Sequence, residues 1–338
     1  MTAWGKRWSL RRLADERGRF RMVAVDQRPP IAQLVARARG IAPAQVAYED
    51  VCAVKRLLAE ELAPHASAML MDPNYAYPAA IEAVPASRGL VITLEEHRYE
   101  DGPSGRRSRS IPDWSVEKIK RLGADGVKVL AWYRPDAARD VLEHQRRYVE
   151  AVGRACVSQD VAFVLELLVY PFAGATAAGS AYDEDPARHP QWVIDSVREF
   201  ADPRYAMDLF KLESPLPASA LAGSDEGEVQ SLFDAVGRAA GRPWVMLSAG
   251  AGKEDFLRVL RFAYRAGAGG FLAGRAIWRD ALSAYPDGEA CRGALRRDAV
   301  PYMERLRELT HREAAALPAT PAARFSREGD FAAGYPAA

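Results

Sequence analysis

Short apolar runs alternate with amphipathic stretches along almost the whole of this 338-residue chain. The apolar runs have the length of strands, and the amphipathic stretches have the length of helices. Strands separated by helices pair in parallel through right-handed crossovers. The predicted strands span residues 20–27, 66–72, 89–95, 126–133, 162–169, 208–213, 244–249 and 269–273. Eight such units in roughly 300 residues predict a single α/β domain, a (β/α)8 TIM barrel, and a doubly wound parallel sheet is the alternative.

Apolar residues at helical spacing predict the helices that connect these strands. They span residues 43–62, 114–122, 138–158, 190–200, 228–240, 253–265 and 289–309. A short additional helix should begin near Arg275. We expect residues 1–312 to form one catalytic domain. The Ala- and Pro-rich segment 313–338 should be a poorly ordered tail.

The balanced charge of the chain limits the partners that it can bind. A net charge of +1 argues against a nucleic-acid or membrane-surface partner. No apolar run approaches the ~20 residues that span a bilayer, and the first residues lack the apolar stretch of a signal peptide. We therefore expect a cytoplasmic protein. We also expect a homo-oligomer, although the sequence does not specify the number of subunits.

Cysteine and histidine usage gives no sign of a metal site. Cys52, Cys156 and Cys291 are far apart and odd in number, which fits a reducing compartment and shows no disulfide spacing. The five histidines are scattered, without the short spacings typical of zinc ligands. The sequence therefore predicts neither a metal nor another cofactor.

Two lysines stand inside strand-like segments, where a charged amine is costly. Lys211 lies within 207–213 (Met-Asp-Leu-Phe-Lys-Leu-Glu) and Lys128 within 126–131 (Gly-Val-Lys-Val-Leu-Ala). Only seven of the 46 basic residues are lysines, so the chain uses arginine wherever positive charge is sufficient. A lysine, unlike an arginine, can lose its proton and attack a carbonyl group. The alternative is a pair of lysines in salt bridges at strand ends.

Polar residues recur at the carboxyl ends of the predicted strands, where a barrel holds its active site. Besides the two lysines they include Asp26, Gln27, Asp72, Glu95, Glu96, Glu166, Glu213, Ser248 and Arg275. Any one of them could be an ordinary strand-end charge, and Glu166 alone could equally be a buried salt-bridge partner. In a barrel they would converge on one small volume, which favours a catalytic site.

Glycine-rich turns follow the seventh and eighth predicted strands. Residues 247–252 read Leu-Ser-Ala-Gly-Ala-Gly, and residues 273–276 read Ala-Gly-Arg-Ala. Barrels often bind phosphate at these two positions, on backbone N–H groups and a helix N-terminus. Arg275 would add a charged donor. Plain tight turns are the alternative.

These segments resemble those of the class I tagatose-1,6-bisphosphate aldolase family, which includes the sulfofructosephosphate aldolases. The similar stretches cover roughly residues 10–310 in order, and they are 24–28, 62–72, 123–128, 163–166, 208–213, 243–250 and 270–278. The resemblance implies a (β/α)8 barrel and metal-free chemistry. It also implies a Schiff base on Lys211, a second active-site lysine at Lys128 and an acid/base carboxylate at Glu166.

The same resemblance assigns the residues that would bind substrate. It implies that Asp26 and Gln27 hold substrate hydroxyls. It further implies that the phosphate lies on the two Gly-rich motifs, through Ser248, Gly250, Gly274 and Arg275. Lys128 would help to keep Lys211 neutral and orient the hydroxyls. Glu213 could be a second carboxylate of the network or a structural partner of a lysine.

The chain departs from the family where the far end of the substrate should lie. The family's Tyr-Glu-Lys-Thr-Gly-Tyr is Leu-Glu-Glu-His-Arg-Tyr at 94–99 here. Residues 132–135 (Trp-Tyr-Arg-Pro) are nearer to the sulfosugar branch, and the loop 170–190 is long and rich in Gly and Ala.

Three functions remain compatible with these features. The first is cleavage of a ketose 1,6-bisphosphate, such as tagatose 1,6-bisphosphate, to dihydroxyacetone phosphate and glyceraldehyde 3-phosphate. The second is the same chemistry on a 6-sulfo-6-deoxyketose 1-phosphate or another ketose 1-phosphate. The third is a barrel that senses a phosphorylated sugar without turnover.

Overall fold

Eight parallel strands close into a barrel in the computed structural model of the chain, which describes residues 4–172, 187–319 and 327–335. The strands of the described residues are β1 (Phe20–Ala24), β2 (Ala68–Met71), β3 (Gly89–Thr93), β4 (Glu100–Gly102), β5 (Gly105–Arg107), β6 (Gly126–Trp132), β7 (Ala162–Leu168), β8 (Leu209–Leu212), β9 (Trp244–Met246) and β10 (Gly270–Ala273). The order around the barrel is β1-β10-β9-β8-β7-β6-β3-β2. The predicted (β/α)8 barrel is confirmed.

Every predicted strand is present, and several end earlier than predicted. β1 ends at Ala24 and β9 at Met246, each three residues before the predicted end. At β1 the backbone hydrogen bonds continue one residue past the end of the strand, since Val25 N still donates to Leu70 O at 2.9 Å. The polar residues that follow the strands therefore stand above the ladder, at the open end of the barrel.

Helices surround the strands. Those of the described residues are α1 (Trp4–Leu13), α2 (Pro29–Arg39), α3 (Tyr48–Leu62), α4 (Ala76–Ala80), α5 (Val116–Arg121), α6 (Arg139–Ser158), α7 (His189–Phe200), α8 (Glu226–Ala240), α9 (Lys253–Arg265), α10 (Arg275–Trp278), α11 (Gly288–Ala294), α12 (Val300–Glu313) and α13 (Asp330–Gly334). The short helix expected near Arg275 is α10.

Two predicted helices differ in extent from the prediction, and four helices were not predicted. The helix predicted at 43–62 begins only at Tyr48, because Val46 is extended after a short 3-10 turn. The helix predicted at 289–309 is split into α11 and α12 by a π-helical turn at Leu295–Ala299. The helices that no sequence pattern predicted are α1, α2, α4 and α13.

α1 closes the amino-terminal end of the barrel. Lys6 Nζ lies 2.8 Å from Asp208 Oδ2 and donates to Ala206 O at 2.7 Å. Leu13 packs with the side chains that fill the barrel interior, among them Met22 and Leu272. The lower part of the barrel is therefore a packed apolar core, and the polar side chains lie at the carboxyl ends of the strands.

β4 and β5 form an antiparallel hairpin outside the barrel, which the sequence analysis did not predict. Its Arg106 guanidinium carbon lies 4.7 Å from the ring centroids of Tyr99 and Trp132 and 4.9 Å from that of Tyr170. Gly105 has φ +129°, and a Cβ there would lie 2.4 Å from Tyr170 Oη. The hairpin is thus fastened to the ends of β6 and β7, beside the barrel mouth.

The segment after α12 runs back along the base of the barrel. Leu317 N donates to Gly18 O at 2.7 Å, and farther along Phe331 packs edge-on against Trp4 at 5.6 Å. Residues 320–326 and 336–338 of the predicted tail, and 173–186 of the long loop, lie outside the described residues. The division into a barrel and a poorly ordered tail stays a prediction. Within the described ranges, no helix has the length and apolar character to cross a membrane.

Candidate active site

The alternation of side chains along each strand determines which residues enter the barrel. In β8, Leu209 belongs to the inner apolar cluster, whereas Phe210 and Leu212 pack outward against the helices. Because successive strand residues face opposite sides, Lys211 points inward above Leu209. The same reasoning places Glu166 above Val164 in β7. The inner faces change from apolar to charged toward the carboxyl end.

Lys128 of β6 is at the centre of a buried charged cluster. Its Nζ lies 2.7 Å from Glu166 Oε2, 2.5 Å from Glu95 Oε1 and 3.2 Å from Asp26 Oδ2. Burial alone would lower the pKa of Lys128, but these three carboxylates outweigh it and hold the pKa well above its usual value. These ion pairs therefore favour the protonated form of Lys128.

Glu166 links the two lysines. Parallel register pairs Glu166 with Lys211 on the neighbouring strand, so their side chains lie at the same level. One oxygen, Oε2, lies 2.9 Å from Lys211 Nζ and 2.7 Å from Lys128 Nζ. Burial would raise the pKa of Glu166, but the two ammonium groups outweigh it and lower the pKa. Glu166 is therefore an ionised carboxylate that can accept a proton from either side.

Asp26 and Glu95 complete the cluster, and the pKa values of their carboxyl groups are shifted in opposite directions. Thr93 Oγ1 donates to Asp26 Oδ2 at 3.4 Å, and Lys128 and Lys211 overcome the effect of burial to lower the pKa of Asp26. Burial dominates at Glu95 and raises its pKa, even though Lys128 opposes the shift. Glu95 Oε2 is buried and has no hydrogen-bond partner among the described residues. This oxygen remains available to a ligand.

Asp72, a predicted strand-end residue, does not join this cluster. It forms a buried ion pair with Lys55, which reaches it from α3 and also donates to Val25 O at 2.8 Å. Asp72 Oδ1 accepts from the backbone of Asn74 and Tyr75. This pair ties α3 to the ends of β1 and β2, immediately before Asp26. No pattern in the sequence pointed to Lys55.

Glu213 lies near the cluster but makes different contacts. Its Oε1 accepts from Val169 N at 2.6 Å, and its Oε2 lies 3.8 Å from His189 Nε2. Burial raises the pKa of Glu213 to about 8. Within the described part of the chain, no lysine lies within ion-pair distance of Glu213. Of the two roles left open, partnership with a lysine is therefore not supported.

The turn after β9 provides backbone amides at the opposite side of the barrel mouth. Ala249 and Gly250 have φ of +46° and +81°, and Ala251 N donates to Ser248 O at 2.8 Å. The turn leads into α9, whose first amides have no intrahelical partner. Arg275 lies over this turn, since its Cζ is 3.4 Å from the position of a Cβ on Gly250.

Gly274 allows the ends of β10 and β1 to approach closely. A Cβ at this position would lie 2.6 Å from Ala24 O and 2.8 Å from Gln27 Nε2. Gln27 therefore lies against the start of α10, and its Oε1 is buried without a partner among the described residues. The structure thus groups the predicted site residues into two adjoining sets. The charged set comprises Asp26, Lys128, Glu166 and Lys211, and the turn set comprises Gln27, Ser248, Gly250, Gly274 and Arg275.

Fold and site together define a (β/α)8-barrel enzyme built on two inward lysines that share a carboxylate. The sequence profile of the DeoC/LacD family aldolases matches residues 20–280. The chain is 35% identical over 295 residues to the tagatose 1,6-diphosphate aldolase of Streptococcus pneumoniae strain R6, covering 84% of this chain and 88% of that one. It is 34% identical over 289 residues to the Lactococcus lactis protein of the same name, covering 83% and 86%. The chain belongs to the DeoC/LacD family of aldolases.

Solved structures show the same fold at lower identity. A Schiff-base-forming fructose-1,6-bisphosphate aldolase superposes with a TM-score of 0.57 at 19% identity, covering 90% of this chain and 99% of that one. The fructose-bisphosphate aldolase of Plasmodium falciparum superposes with a TM-score of 0.65 at 11% identity, covering 92% and 95%. These likenesses support the barrel assignment.

Proposed function

We propose that this aldolase is a class I enzyme that forms a Schiff base on Lys211 with the C2 ketone of a phosphorylated ketose. The observation that carries the proposal is the position of Glu166 Oε2 between Lys211 Nζ and Lys128 Nζ, at 2.9 and 2.7 Å. A lysine becomes a nucleophile only when it gives up its proton, and Glu166 is the carboxylate in contact with it. Lys128 keeps its own proton because two further carboxylates hold it.

In Schiff-base formation, the single carboxylate of Glu166 both accepts and returns the proton. Glu166 accepts a proton from the Lys211 ammonium, and the neutral amine attacks C2 to give a carbinolamine. Glu166 then returns the proton to the C2 hydroxyl, which leaves as water. The products are an iminium ion and an ionised Glu166, so the net charge is unchanged.

Carbon–carbon cleavage uses the same group a second time. Glu166 removes the proton of the C4 hydroxyl while the C3–C4 bond breaks. The electron pair of the C3–C4 bond flows into the iminium and gives an enamine. The aldehyde half leaves. Protonation at C3 and hydrolysis by water then release dihydroxyacetone phosphate and restore the Lys211 ammonium. The iminium is the electron sink, so this route requires no metal or cofactor.

The turn set supports a phosphate at C1 of the substrate. Ser248, Gly250 and the first turn of α9 would supply backbone donors, and Arg275 and Gly274 would complete the site from β10. Lys211 lies on β8, the strand next to β9, and this position suits an attack on C2, the carbon next to C1. Asp26, Gln27 and Lys128 would hold the hydroxyls. Because its relatives are named tagatose 1,6-diphosphate aldolases, we propose tagatose 1,6-bisphosphate as a substrate, cleaved to dihydroxyacetone phosphate and glyceraldehyde 3-phosphate.

Borohydride trapping tests this function. Reduction in the presence of dihydroxyacetone phosphate should add the mass of the reduced ligand to the peptide that contains Lys211. Labelling of Lys128 instead would reverse the roles of the two lysines. A protein that binds the phosphate without becoming labelled would be a sugar-phosphate sensor rather than a class I aldolase.

We further propose that the enzyme acts in the cytoplasm as a homo-oligomer. The three cysteines are free, as expected in a reducing compartment. Exposed aromatic side chains lie on and beside α1, with Trp8 61%, Phe331 43% and Trp4 37% accessible, and exposed apolar side chains of this kind support self-association. Light scattering of the protein as it elutes from a size-exclusion column measures the number of subunits. A monomer would contradict the proposed homo-oligomer.

A further inference from the structure

Lys55 is a buried lysine that the proposed chemistry does not use. It lies in α3, outside the strands of the barrel, and its side chain is fully buried. Its Nζ forms an ion pair with Asp72, whose side chain is also fully buried. The same Nζ donates to the backbone carbonyl of Val25 at 2.8 Å. Lys55 therefore joins α3 to the backbone that immediately precedes Asp26.

The carboxylate of Asp72 holds the Lys55 amine in place. Three backbone amides donate to this carboxylate at 2.8–3.3 Å, and they belong to Asn74, Tyr75 and Ala76. A carboxylate with three backbone donors has little freedom to turn, so the amine that it binds is held as well. Burial lowers the pKa of Lys55, although Asp72 opposes the shift. An amine carries N–H donors in both protonation states, so the bond to the Val25 carbonyl does not depend on the charge.

Side chains from two helices hold the backbone at the point where β1 ends. Ala24 O accepts from Trp278 Nε1 of α10 at 3.0 Å, and Val25 O accepts from Lys55 Nζ of α3 at 2.8 Å. The strand ends at Ala24, so regular strand pairing no longer determines where the following residues lie. These two side-chain contacts therefore fix the direction in which the chain leaves β1 and presents Asp26.

The side-chain contacts of Asp26 restrain its carboxylate only weakly. Lys128 Nζ lies 3.2 Å from Asp26 Oδ2, and Thr93 Oγ1 donates to the same oxygen at 3.4 Å. These distances are at or beyond the upper end of the usual range for hydrogen bonds of these types. The place of the carboxylate therefore depends on the backbone that carries it, and Lys55 holds that backbone.

We propose that Lys55 is a positioning residue, which places the Asp26 carboxylate in the active site through its hydrogen bond to the Val25 carbonyl. Asp72 contributes by holding the Lys55 amine. This inference rests on the proposed Schiff-base function, in which Asp26 holds a substrate hydroxyl. A displacement of about 1 Å in a group that orients the substrate can lower the rate by roughly 100-fold, so a small movement of this backbone matters for catalysis.

A double-mutant cycle tests this role. Lys55→Met removes the amine and keeps an unbranched side chain, and Asp26→Asn removes the charge that Lys55 places. Each change alone should lower kcat/KM for tagatose 1,6-bisphosphate by about 10- to 100-fold. In the Asp26→Asn background, Lys55→Met should cost no more than about 2-fold, because the group that it positions has already been lost. Losses of the same size in both backgrounds would overturn the proposal.

Lys6 provides a matched control at the opposite end of the barrel. Its Nζ lies 2.8 Å from Asp208 Oδ2 and donates to Ala206 O at 2.7 Å, so it is also a buried lysine that joins a helix to a carboxylate and a backbone carbonyl. Lys6→Met should lower the midpoint of urea unfolding, as Lys55→Met should. Its effect on kcat/KM should be small and equal in both Asp26 backgrounds. Equal coupling of Lys6 and Lys55 to Asp26 would indicate a general loss of rigidity and overturn the proposal.

A neutral replacement of the whole pair applies if Lys55→Met fails to fold. Lys55→Met alone leaves the Asp72 carboxylate buried without its cation, which is costly. Adding Asp72→Asn removes that charge and keeps an oxygen that can accept from the backbone amides. The same cycle with Asp26→Asn is then measured on this double variant, with the same expected and contrary results. Wild-type kcat/KM in Asp26→Asn alone would overturn the proposal without any change at Lys55.

Borohydride trapping with dihydroxyacetone phosphate separates this inference from the function on which it rests. Absence of the Lys211 adduct in the wild-type protein would reject the proposed function. A normal adduct together with equal losses in the two Asp26 backgrounds would reject only the positioning role of Lys55.

Discussion

One oxygen atom, Glu166 Oε2, is the group on which the proposed chemistry depends. Glu166→Gln keeps the size of the side chain but cannot accept a proton. We expect cleavage to fall by roughly 10²–10⁴-fold, the usual contribution of general acid–base catalysis. Borohydride should still label Lys211, more slowly, because the amine and the phosphate site remain. Steady-state cleavage and mass spectrometry of the trapped peptide measure the two effects.

Glu213→Gln is the matched control, since Glu213 is two residues from Lys211 and equally buried. It contacts Val169 N and His189 rather than either active-site lysine. Cleavage by this variant should stay near the wild-type rate. The opposite pattern, with Glu166→Gln active and Glu213→Gln inactive, would assign the base to Glu213.

The buried Glu213 also predicts a pH dependence of stability. Burial raises its pKa from 4.5 to about 8. Between these pH values the folded protein holds a proton that the unfolded chain has released. The free energy of unfolding should therefore fall as pH rises through this window, by at most about 1.4 kcal/mol per pH unit. Urea unfolding across the window should show a shallower decline for Glu213→Gln, and parallel curves would contradict the assignment.

Arg275 should serve phosphorylated ligands specifically. Arg275→Ala removes a charged donor over the Ser248–Gly250 turn and should cost about 1.5–3 kcal/mol of binding, or about 10- to 150-fold. Non-phosphorylated analogues should lose little. Arg265→Ala is a suitable control, because Arg265 lies at the end of α9 that is remote from this turn. Its side chain is exposed and forms an ion pair with Glu226 of α8. Equal losses for both ligand types would make Arg275 a structural residue.

At the scale of single elements, close backbone packing explains which helical glycines are required. A Cβ on Gly153 of α6 would lie 2.0 Å from Tyr205 O, whereas a Cβ on Gly293 of α11 meets nothing within 4 Å. Gly153→Ala should therefore destabilise the protein by roughly 1–3 kcal/mol or more through overpacking. Gly293→Ala should stabilise it by about 0.5–1 kcal/mol through helix propensity. Thermal unfolding distinguishes the two, and equal signs would contradict the packing argument.

Local patterns explain which elements the sequence predicted well. α9 spans the predicted residues, because its apolar face is strongly periodic and Gly252 precedes it. The β4–β5 hairpin was missed because its strands have only three residues each and little apolar character. Contacts of Arg106 with the neighbouring Tyr99 and with the distant Trp132 and Tyr170 stabilise it instead, and no local pattern reveals the two distant contacts.

For the whole molecule, the distribution of acidic and histidine side chains predicts metal-independent activity. Among the described residues, the group that could hold a metal ion is Asp15, Glu16 and His311. It lies at the amino-terminal end of the barrel, where Asp15 already accepts from Arg21 Nε at 2.8 Å. Cleavage should therefore survive exhaustive EDTA treatment. A loss that zinc restores would refute the Schiff-base route.

The sequence alone was sufficient for the barrel and for the convergence of the main catalytic candidates on one end of it. Strand length and helical spacing are local properties, so they can be read along the chain. They place Lys128, Glu166 and Lys211 in or at the ends of predicted parallel strands, and a barrel brings the carboxyl ends of its strands together.

Only the closed barrel decided which of these side chains meet. The register of β7 on β8 brings Glu166 beside Lys211, and Lys128 gathers three carboxylates from β1, β3 and β7. Asp72 instead pairs with Lys55 of α3, and Nε and Nη1 of the buried Arg28 have no hydrogen-bond partner among the described residues. These outcomes depend on contacts between residues far apart in the chain, and a local pattern carries no information about such contacts.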